Sequence, residues 1–159
     1  DHFVELVTAL AKGGLQVVLD TDGRNAALLE RLIGTGCLTR VRLNIPGPAS
    51  VYPAATGGDA PSAEELGKTI ALVRDFKDHV IRLYLEPIPQ ADGSFAWLSP
   101  ADAALAGKMV AEACGDMMLP FGIQATAEVV KGVEPLTNRL PYRSKVRSAL
   151  PKTDIIKGE

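Results

Sequence analysis

The chain has 159 residues, of which 47% are hydrophobic and 23% charged, and its formal net charge is −2. This length and hydrophobicity fit one compact domain with a full core and exclude an intrinsically disordered chain. The near-neutral charge and the scattered basic residues exclude nucleic acid as an expected partner. No apolar run is long enough to span a membrane and the first residues predict no signal peptide, so we expect a cytoplasmic protein.

The first part of the chain alternates between helical and strand-like patterns. An amphipathic helix is predicted over residues 2–12, followed by a buried apolar strand over 15–21. A second helix over 24–34 leads to a second strand over 39–45, which Pro46 ends. The apolar face of the first helix consists of Phe3, Leu6, Val7 and Leu10.

A long loop over residues 46–61, rich in Gly, Pro, Ala and Ser, interrupts this alternation. Loops of this length in compact domains are often lids or substrate loops. Ser62 to Glu65 then match a capping box, which predicts a helix that extends to about Asp78. A third strand is predicted over residues 80–87.

The last predicted helix has Ser99 as its N-cap and Pro100 at its first position. A fourth strand follows over residues 117–123, and the residues after it have no clear periodicity. We therefore divide the chain into an α/β unit over residues 1–125 and an irregular tail over 126–159. The tail includes a basic stretch, and at most one short helix is expected in it.

Helices that alternate with short apolar strands predict a parallel sheet with right-handed crossovers. Four strands fit either a small open sheet or part of a (β/α) barrel. A complete eight-stranded barrel needs roughly 200 residues or more, so this chain is too short to form one.

Polar side chains stand where the predicted strands end, the edge at which parallel sheets and barrels carry their sites. Acidic and hydroxyl side chains end the first strand, an amide ends the second, and the third carries an arginine and ends in a glutamate. Buried polar groups need partners, which a ligand with hydroxyls and charges can supply. The candidate cofactor-binding residues are Asp20, Thr21, Asp22, Asn44, Arg82 and Glu86.

Each candidate also has a purely structural interpretation, and no residue is assigned a catalytic role. On spacing alone, the segment 20–23 is more typical of a strand-to-helix turn in which Asp or Thr caps the next helix. Arg82 is equally consistent with an ion pair beneath a helix, and Glu86 with a loop-stabilising role. Asn44 is the weakest of the set.

The cysteines and histidines predict no metal ligands in this chain. Cys37 and Cys114 are far apart in the sequence, near predicted helix ends, and are interpreted as packing residues. His2 and His79 have no partner at metal-ligand spacing. Phosphate-binding glycine motifs are also lacking in the sequence.

The segment from Phe3 to Gly23 resembles the middle of radical SAM enzymes, and it is most similar to the activating enzymes of glycyl-radical proteins. In that family a helix precedes a strand that ends in a D-T-N-G-like turn. Residues 20–23 stand at the position of this turn, with Asp22 in place of the usual Asn.

Later segments resemble the next elements of the same family in the same order. Residues 41–45 are similar to its fourth strand, in which an acidic residue often stands at the position of Asn44. Residues 62–76 resemble the helix that follows, and residues 80–89 resemble the fifth strand, including an arginine at the position of Arg82.

This resemblance, which covers roughly residues 2–124, implies a partial (β/α) TIM-type barrel that binds S-adenosylmethionine beside a [4Fe-4S] cluster. In that family, reductive cleavage of S-adenosylmethionine yields a 5′-deoxyadenosyl radical, which abstracts hydrogen from a substrate such as a glycyl-radical protein. The resemblance places Asp20 and Thr21 near the methionine or ribose part of S-adenosylmethionine, and Asn44 and Arg82 in the same cavity.

The family's CxxxCxxC loop and glycine-rich strand end precede the matched region and are not in this chain. Two distant cysteines cannot supply three cluster ligands. We therefore expect the C-terminal part of a longer enzyme, inactive until joined to a cluster-binding N-terminal half in the same or another chain. The expected substrate is a protein or peptide.

Two other functions fit the same sequence. One is a non-catalytic α/β module that binds a partner through the loop over residues 46–61 and the basic tail. The other is a different barrel enzyme in which Asp20 and Glu86 act as acid and base. A half-barrel would also expose the first strand, residues 15–21, as a parallel edge with unpaired backbone groups.

Overall fold

The computed structural model describes residues 2–157 as one parallel β-sheet with helices in the connections between its strands. The helices are α1 (His2–Lys12), α2 (Ala26–Gly34), α3 (Tyr52–Thr56), α4 (Ala63–Asp75), α5 (Pro100–Cys114) and α6 (Leu140–Val146). The strands are β1 (Val17–Thr21), β2 (Leu38–Ile45), β3 (His79–Leu85), β4 (Ile88–Pro89), β5 (Phe95–Ala96), β6 (Phe121–Ala125) and β7 (Thr153–Ile155). Asp1 of the predicted α/β unit over residues 1–125, and residues 158–159 of the predicted tail over 126–159, lie outside the described residues.

The main sheet has five strands in the order β1-β2-β3-β6-β7, and each neighbouring pair is parallel. The short strands β4 and β5 form a separate antiparallel ribbon. Within residues 2–157 no pairing joins the edge strands β1 and β7, so the described sheet is open. The predicted α/β class with parallel strands is therefore confirmed.

The hydrophobic core lies between one face of this sheet and the helices. Leu43, Leu83 and Ile123 on the three inner strands are fully buried there. Their buried partners on the helices include Leu32, Leu66, Ile70, Val73, Ala106 and Val110. Because successive strand residues point to opposite faces, the neighbouring residues on these strands project from the other face of the sheet.

Side-chain caps fix the starts of two long helices as the sequence predicts. Ser62 accepts a hydrogen bond from the backbone N–H of Glu65 at 3.1 Å, and Ser99 accepts one from Asp102 at 3.0 Å. The carboxylate of Glu65 accepts a 2.7 Å hydrogen bond from the backbone N–H of Ala26 at the start of α2. Glu65 therefore ties α4 to α2 through a contact that the capping box did not predict.

The N-terminal helix and strand are less buried than their sequence patterns predict. On the predicted apolar face of α1, Val7 is buried, whereas Phe3, Leu6 and Leu10 are 44%, 53% and 38% exposed. Val18 in β1 is 41% exposed. The prediction of a buried first strand was wrong, because β1 is an edge strand whose described neighbour is β2 alone.

The fourth strand of the sequence prediction begins later than expected. Met117 and Met118 precede β6 and are 58% and 51% exposed, in a turn in which the carboxylate of Asp116 accepts the backbone N–H of Met118 at 2.8 Å. The strand itself begins at Phe121 and includes Gln124. Of the predicted strand over residues 117–123, the part before Pro120 is therefore a turn, and only the part from Phe121 onward is a strand.

The predicted tail contributes a helix and a strand to the fold. Helix α6 packs against α5, and β7 extends the sheet beyond β6. Three arginines of the basic stretch donate hydrogen bonds to residues 153–156. Two of the acceptors are backbone oxygens and one is a carboxylate. These pairs are Arg139 with Ile156 at 3.1 Å, Arg143 with Asp154 at 3.2 Å and Arg147 with Thr153 at 2.8 Å.

We predict that Leu83→Ala destabilises the protein by about 2–5 kcal/mol, because Leu83 is fully buried in the central strand and its truncation leaves a cavity. Urea unfolding monitored by circular dichroism measures the change. Leu105→Ala is the matched control, since Leu105 is 55% exposed on α5. Equal losses in the two variants would contradict the assignment of the core.

Candidate functional site

A chain of hydrogen bonds crosses the polar face of the sheet from β1 to β6. Asn44 donates to the carboxylate of Asp20 at 3.0 Å and accepts from Nε of Arg82 at 2.8 Å. Arg82 also donates from Nη1 to the side-chain oxygen of Gln124. Four neighbouring strands thus contribute one residue each to a continuous polar network.

Arg82 is the centre of this network. It is only 2% exposed, and its guanidinium lies 4.6 Å from the ring centroid of Tyr84, two residues further along the same strand face. Its Nη2 atom is 3.9 Å from the Asp20 carboxylate, to which Nε of Arg42 approaches within 3.4 Å. A buried cation requires this kind of compensation by hydrogen bonds and opposite charge.

Gly122 helps to enclose Arg82 from the side of β6. It pairs with Arg82 in the strand register, and a Cβ added to it would overlap the end of the Ile156 side chain. Ile156 follows β7 and its backbone N–H donates to Ile123 at 2.9 Å. The absent side chain of Gly122 therefore lets Ile156 cover the face of the sheet beside Arg82.

A cavity of about 510 Å³ opens at the carboxyl ends of the strands, next to the network. This volume lies within the roughly 300–1,000 Å³ of small-molecule sites. Its walls combine carboxylates, a hydroxyl, an amide and an aromatic ring with residues of the long loop. The lining residues are Asp20, Thr21, Asp22, Asn44, Pro46, Ala55, Thr56, Tyr84 and Glu86.

The turn after β1 places two of these residues in the cavity wall. The Thr21 hydroxyl accepts the backbone N–H of Gly23 at 3.3 Å, and the Asp22 carboxylate accepts the backbone N–H of Arg24 at 3.2 Å. The cap of α2 is Asn25, in a left-handed conformation, so neither Asp22 nor Thr21 caps this helix. The purely structural interpretation of the turn is therefore wrong about the cap.

Gly23 allows this turn to approach α4 closely. Its φ of +98° is in the region that favours glycine, and an added Cβ would lie 2.8 Å from Cδ1 of Leu66. The backbone oxygen of Gly23 accepts a buried hydrogen bond from the Thr69 hydroxyl at 3.0 Å. The helix α4 thus fixes the position of Asp22 relative to the sheet.

The long loop forms the wall opposite the sheet. Tyr52 in α3 is fully buried, and its hydroxyl donates to the backbone oxygen of Asp22 at 2.9 Å. Burial raises the pKa of Tyr52, and the negative charge of Asp22 adds to this effect, so the hydroxyl remains a donor across the ordinary pH range. Ala55 and Thr56 follow on the cavity side.

Glu86 stands at the rim of the cavity, directly after β3. Although Glu86 as a whole is exposed, partial desolvation of its carboxyl raises the pKa of Glu86, and the negative charge of Glu128 raises it further. Within residues 2–157 the Glu86 carboxylate has no hydrogen bond or ion pair. The rim therefore offers a carboxylate that a cationic group of a ligand would stabilise.

The structure brings all six candidates from the sequence to one place. Five of them line the cavity, and Arg82 lies behind its wall as a partner of Asn44 and Asp20. Tyr84 and Gln124 stand at predicted strand ends but were not among the candidates, and Tyr52 was not predicted to be near the site. Alternation along β3 would have put Tyr84 on the face of Arg82, whereas the contact of Tyr52 depends on how the loop folds back.

The two cysteines lie at the other edge of the sheet. Cys37 immediately precedes β2 and Cys114 ends α5 just before the segment that leads to β6, so both are near the amino ends of strands. In the part of the chain that the structure describes, no three His, Cys, Asp or Glu side chains are grouped to hold a metal ion. These residues do not fit a [4Fe-4S] cluster.

Comparisons with protein-family models, with curated proteins and with solved structures find no match for this chain. Among the helices within residues 2–157, none combines the length and apolar character needed to cross a bilayer.

We predict that Arg82→Met destabilises the fold by about 3 kcal/mol, because Asn44 and Gln124 lose their buried donor. Urea unfolding measures the loss. Lys108→Met is the control, since Lys108 pairs with Glu112 at 3.7 Å on the surface of α5 and such pairs contribute less than about 1 kcal/mol. Losses of equal size would show that the network does not stabilise the sheet.

We predict that Glu86→Gln raises stability near neutral pH and has no effect at about pH 3.5, below the usual carboxyl pKa. Because the pKa of Glu86 is raised in the folded state, the folded protein favours the protonated carboxyl. The wild type therefore loses stability as the pH rises through the pKa that Glu86 has in the folded state. Thermal unfolding at both pH values tests this. Glu112→Gln, on the surface of α5, serves as control; the same pH profile there would contradict the prediction.

Proposed function

We propose that this chain is the C-terminal part of a radical SAM barrel and that its cavity binds S-adenosylmethionine. The observation that carries the proposal is the polar network, which ends in a cavity at the carboxyl ends of parallel strands. Ligands of (β/α) barrels and open parallel sheets bind at this edge. The ordered resemblance of residues 2–124 to that superfamily supports the identity of the ligand.

The chemistry of the cavity walls fits the parts of S-adenosylmethionine. The molecule offers ribose hydroxyls, an amino group and a positively charged sulfonium. Asp20 and Thr21 supply oxygen atoms for the ribose or the methionine part, and Asn44 and Arg82 keep Asp20 in place. Glu86, which has no partner within residues 2–157, supplies negative charge for a cationic part of the ligand.

In the proposed enzyme, S-adenosylmethionine supplies the radical chemistry by which hydrogen is abstracted from a protein or peptide substrate. The residues of this chain bind and orient the ligand. Because the described residues do not fit a [4Fe-4S] cluster, its ligands belong to the proposed N-terminal half of the barrel. That half would pair with β1, the exposed parallel edge of the sheet.

The first test is the iron and acid-labile sulfide content of the protein purified anaerobically from its native source, together with its visible absorption. The proposal predicts about four irons per protein, as in one [4Fe-4S] cluster. Iron-free, colourless protein would overturn the radical SAM assignment. It would favour the alternative of a non-catalytic module that binds a partner through residues 46–61.

The second test is equilibrium binding of S-adenosylmethionine to the same protein, measured by calorimetry. We predict that Asp20→Asn and Asn44→Ala each weaken binding about tenfold, the effect of losing roughly 1.4 kcal/mol of polar contact. Asp75→Asn is the control, since Asp75 ends α4 near the amino end of β3. Binding that is unchanged in both site variants would place the ligand elsewhere.

A further inference from the structure

Arg24 connects two walls of the cavity. Its Nε atom donates to both carboxylate oxygens of Asp22, at 3.0 and 2.9 Å, and Nη2 adds a further ion pair. On its other side, the guanidinium lies against Gly58, because a Cβ added to Gly58 would overlap Nη1 of Arg24. Arg24 thus contacts the β1 turn and the far end of the long loop.

Asp22 holds the same loop through its backbone. Tyr52 donates its hydroxyl to the Asp22 carbonyl at 2.9 Å, while Asp22 itself lines the cavity. The segment over residues 46–58 is therefore fastened to one residue of the site at two places, by Tyr52 directly and by Arg24 through Gly58. Movement of this segment would change the wall that carries Ala55 and Thr56.

Side-chain packing leaves space on both sides of the 46–58 segment. The cavity of about 510 Å³ lies on the side of Thr56. A second cavity of about 300 Å³ lies on the other side, where Val51 and Ala54 face Trp97. The segment therefore has open space on two sides, and its contacts with Asp22 and Arg24 lie beside the larger cavity.

We propose that Arg24 is a positioning residue of the site, which holds the 46–58 segment at the distance from Asp22 that the ligand requires. This inference rests on the proposed function for the identity of the ligand, but the positioning itself is a property of the ligand-free protein. Arg24 acts through Asp22 and Gly58. The pairing of Arg24 with Asp22 also neutralises that carboxylate, as Arg42 and Arg82 do for Asp20, which leaves Glu86 to meet the positive charge of a ligand.

Two variants break the same contact from opposite sides. Arg24→Ala removes the guanidinium and leaves the charge of Asp22 uncompensated. Gly58→Ala keeps every charge but displaces the flexible end of Arg24, and Gly58 has no left-handed φ that would disfavour alanine. Arg24→Lys restores the charge without the forked geometry. Arg74→Ala, which breaks a surface pair with Asp116, is the control.

The first readout needs no ligand. Amide hydrogen exchange of residues 46–58 and the fluorescence of Trp97, the one tryptophan of the chain, report the position of the segment. We expect exchange to become about tenfold faster or more in Arg24→Ala and Gly58→Ala, and to stay unchanged in Arg74→Ala. Unchanged exchange and fluorescence in both site variants would overturn the proposal.

The second readout is the affinity for S-adenosylmethionine, compared with the urea midpoint of each variant. We expect Arg24→Ala and Gly58→Ala to weaken binding about tenfold with little change in the midpoint, and Arg24→Lys to recover part of the affinity. Affinity that is unchanged while the segment moves would also overturn a positioning role. Failure of the wild type to bind S-adenosylmethionine would contradict the proposed function, and the ligand-free readout would still decide the role of Arg24.

Discussion

The buried guanidinium of Arg82 is the constraint around which the polar face of the sheet is organised. Arg82 lies on the central strand, is 2% exposed, and donates to Asn44 on β2 and to Gln124 on β6. A buried cation that lost these acceptors would cost several kcal/mol. The strand register that brings both amides within reach is therefore favoured, and the same register places Asp20 at the edge of the cavity.

The two faces of the sheet have separate roles because strand residues alternate between them. Leu43 and Leu83 build the core against the helices, while their neighbours Asn44 and Arg82 build the network. A shift of the register by one residue would exchange the two sets and put charge into the core. The stability of the fold and the composition of the cavity thus depend on one alignment of the strands.

Most of the candidate site could be predicted from the sequence, because the carboxyl ends of parallel strands meet at one edge. Polar residues at the ends of three strands were sufficient to select Asp20, Asn44 and Glu86. The opposite wall could not be predicted in this way. Tyr52 reaches Asp22 across 30 positions in the sequence, in a loop whose Gly- and Pro-rich composition indicates no fixed structure.

The sequence by itself determined the elements whose signals are local. Hydrophobic periodicity located the helices α1, α2, α4 and α5 and the strands β2 and β3, and Ser62 and Ser99 marked helix starts, because a cap acts within three residues. Only the tertiary structure decided that β7 joins the sheet and that Glu65 binds the start of α2 across 39 positions. Such contacts depend on which elements become neighbours, and local periodicity carries no information about them.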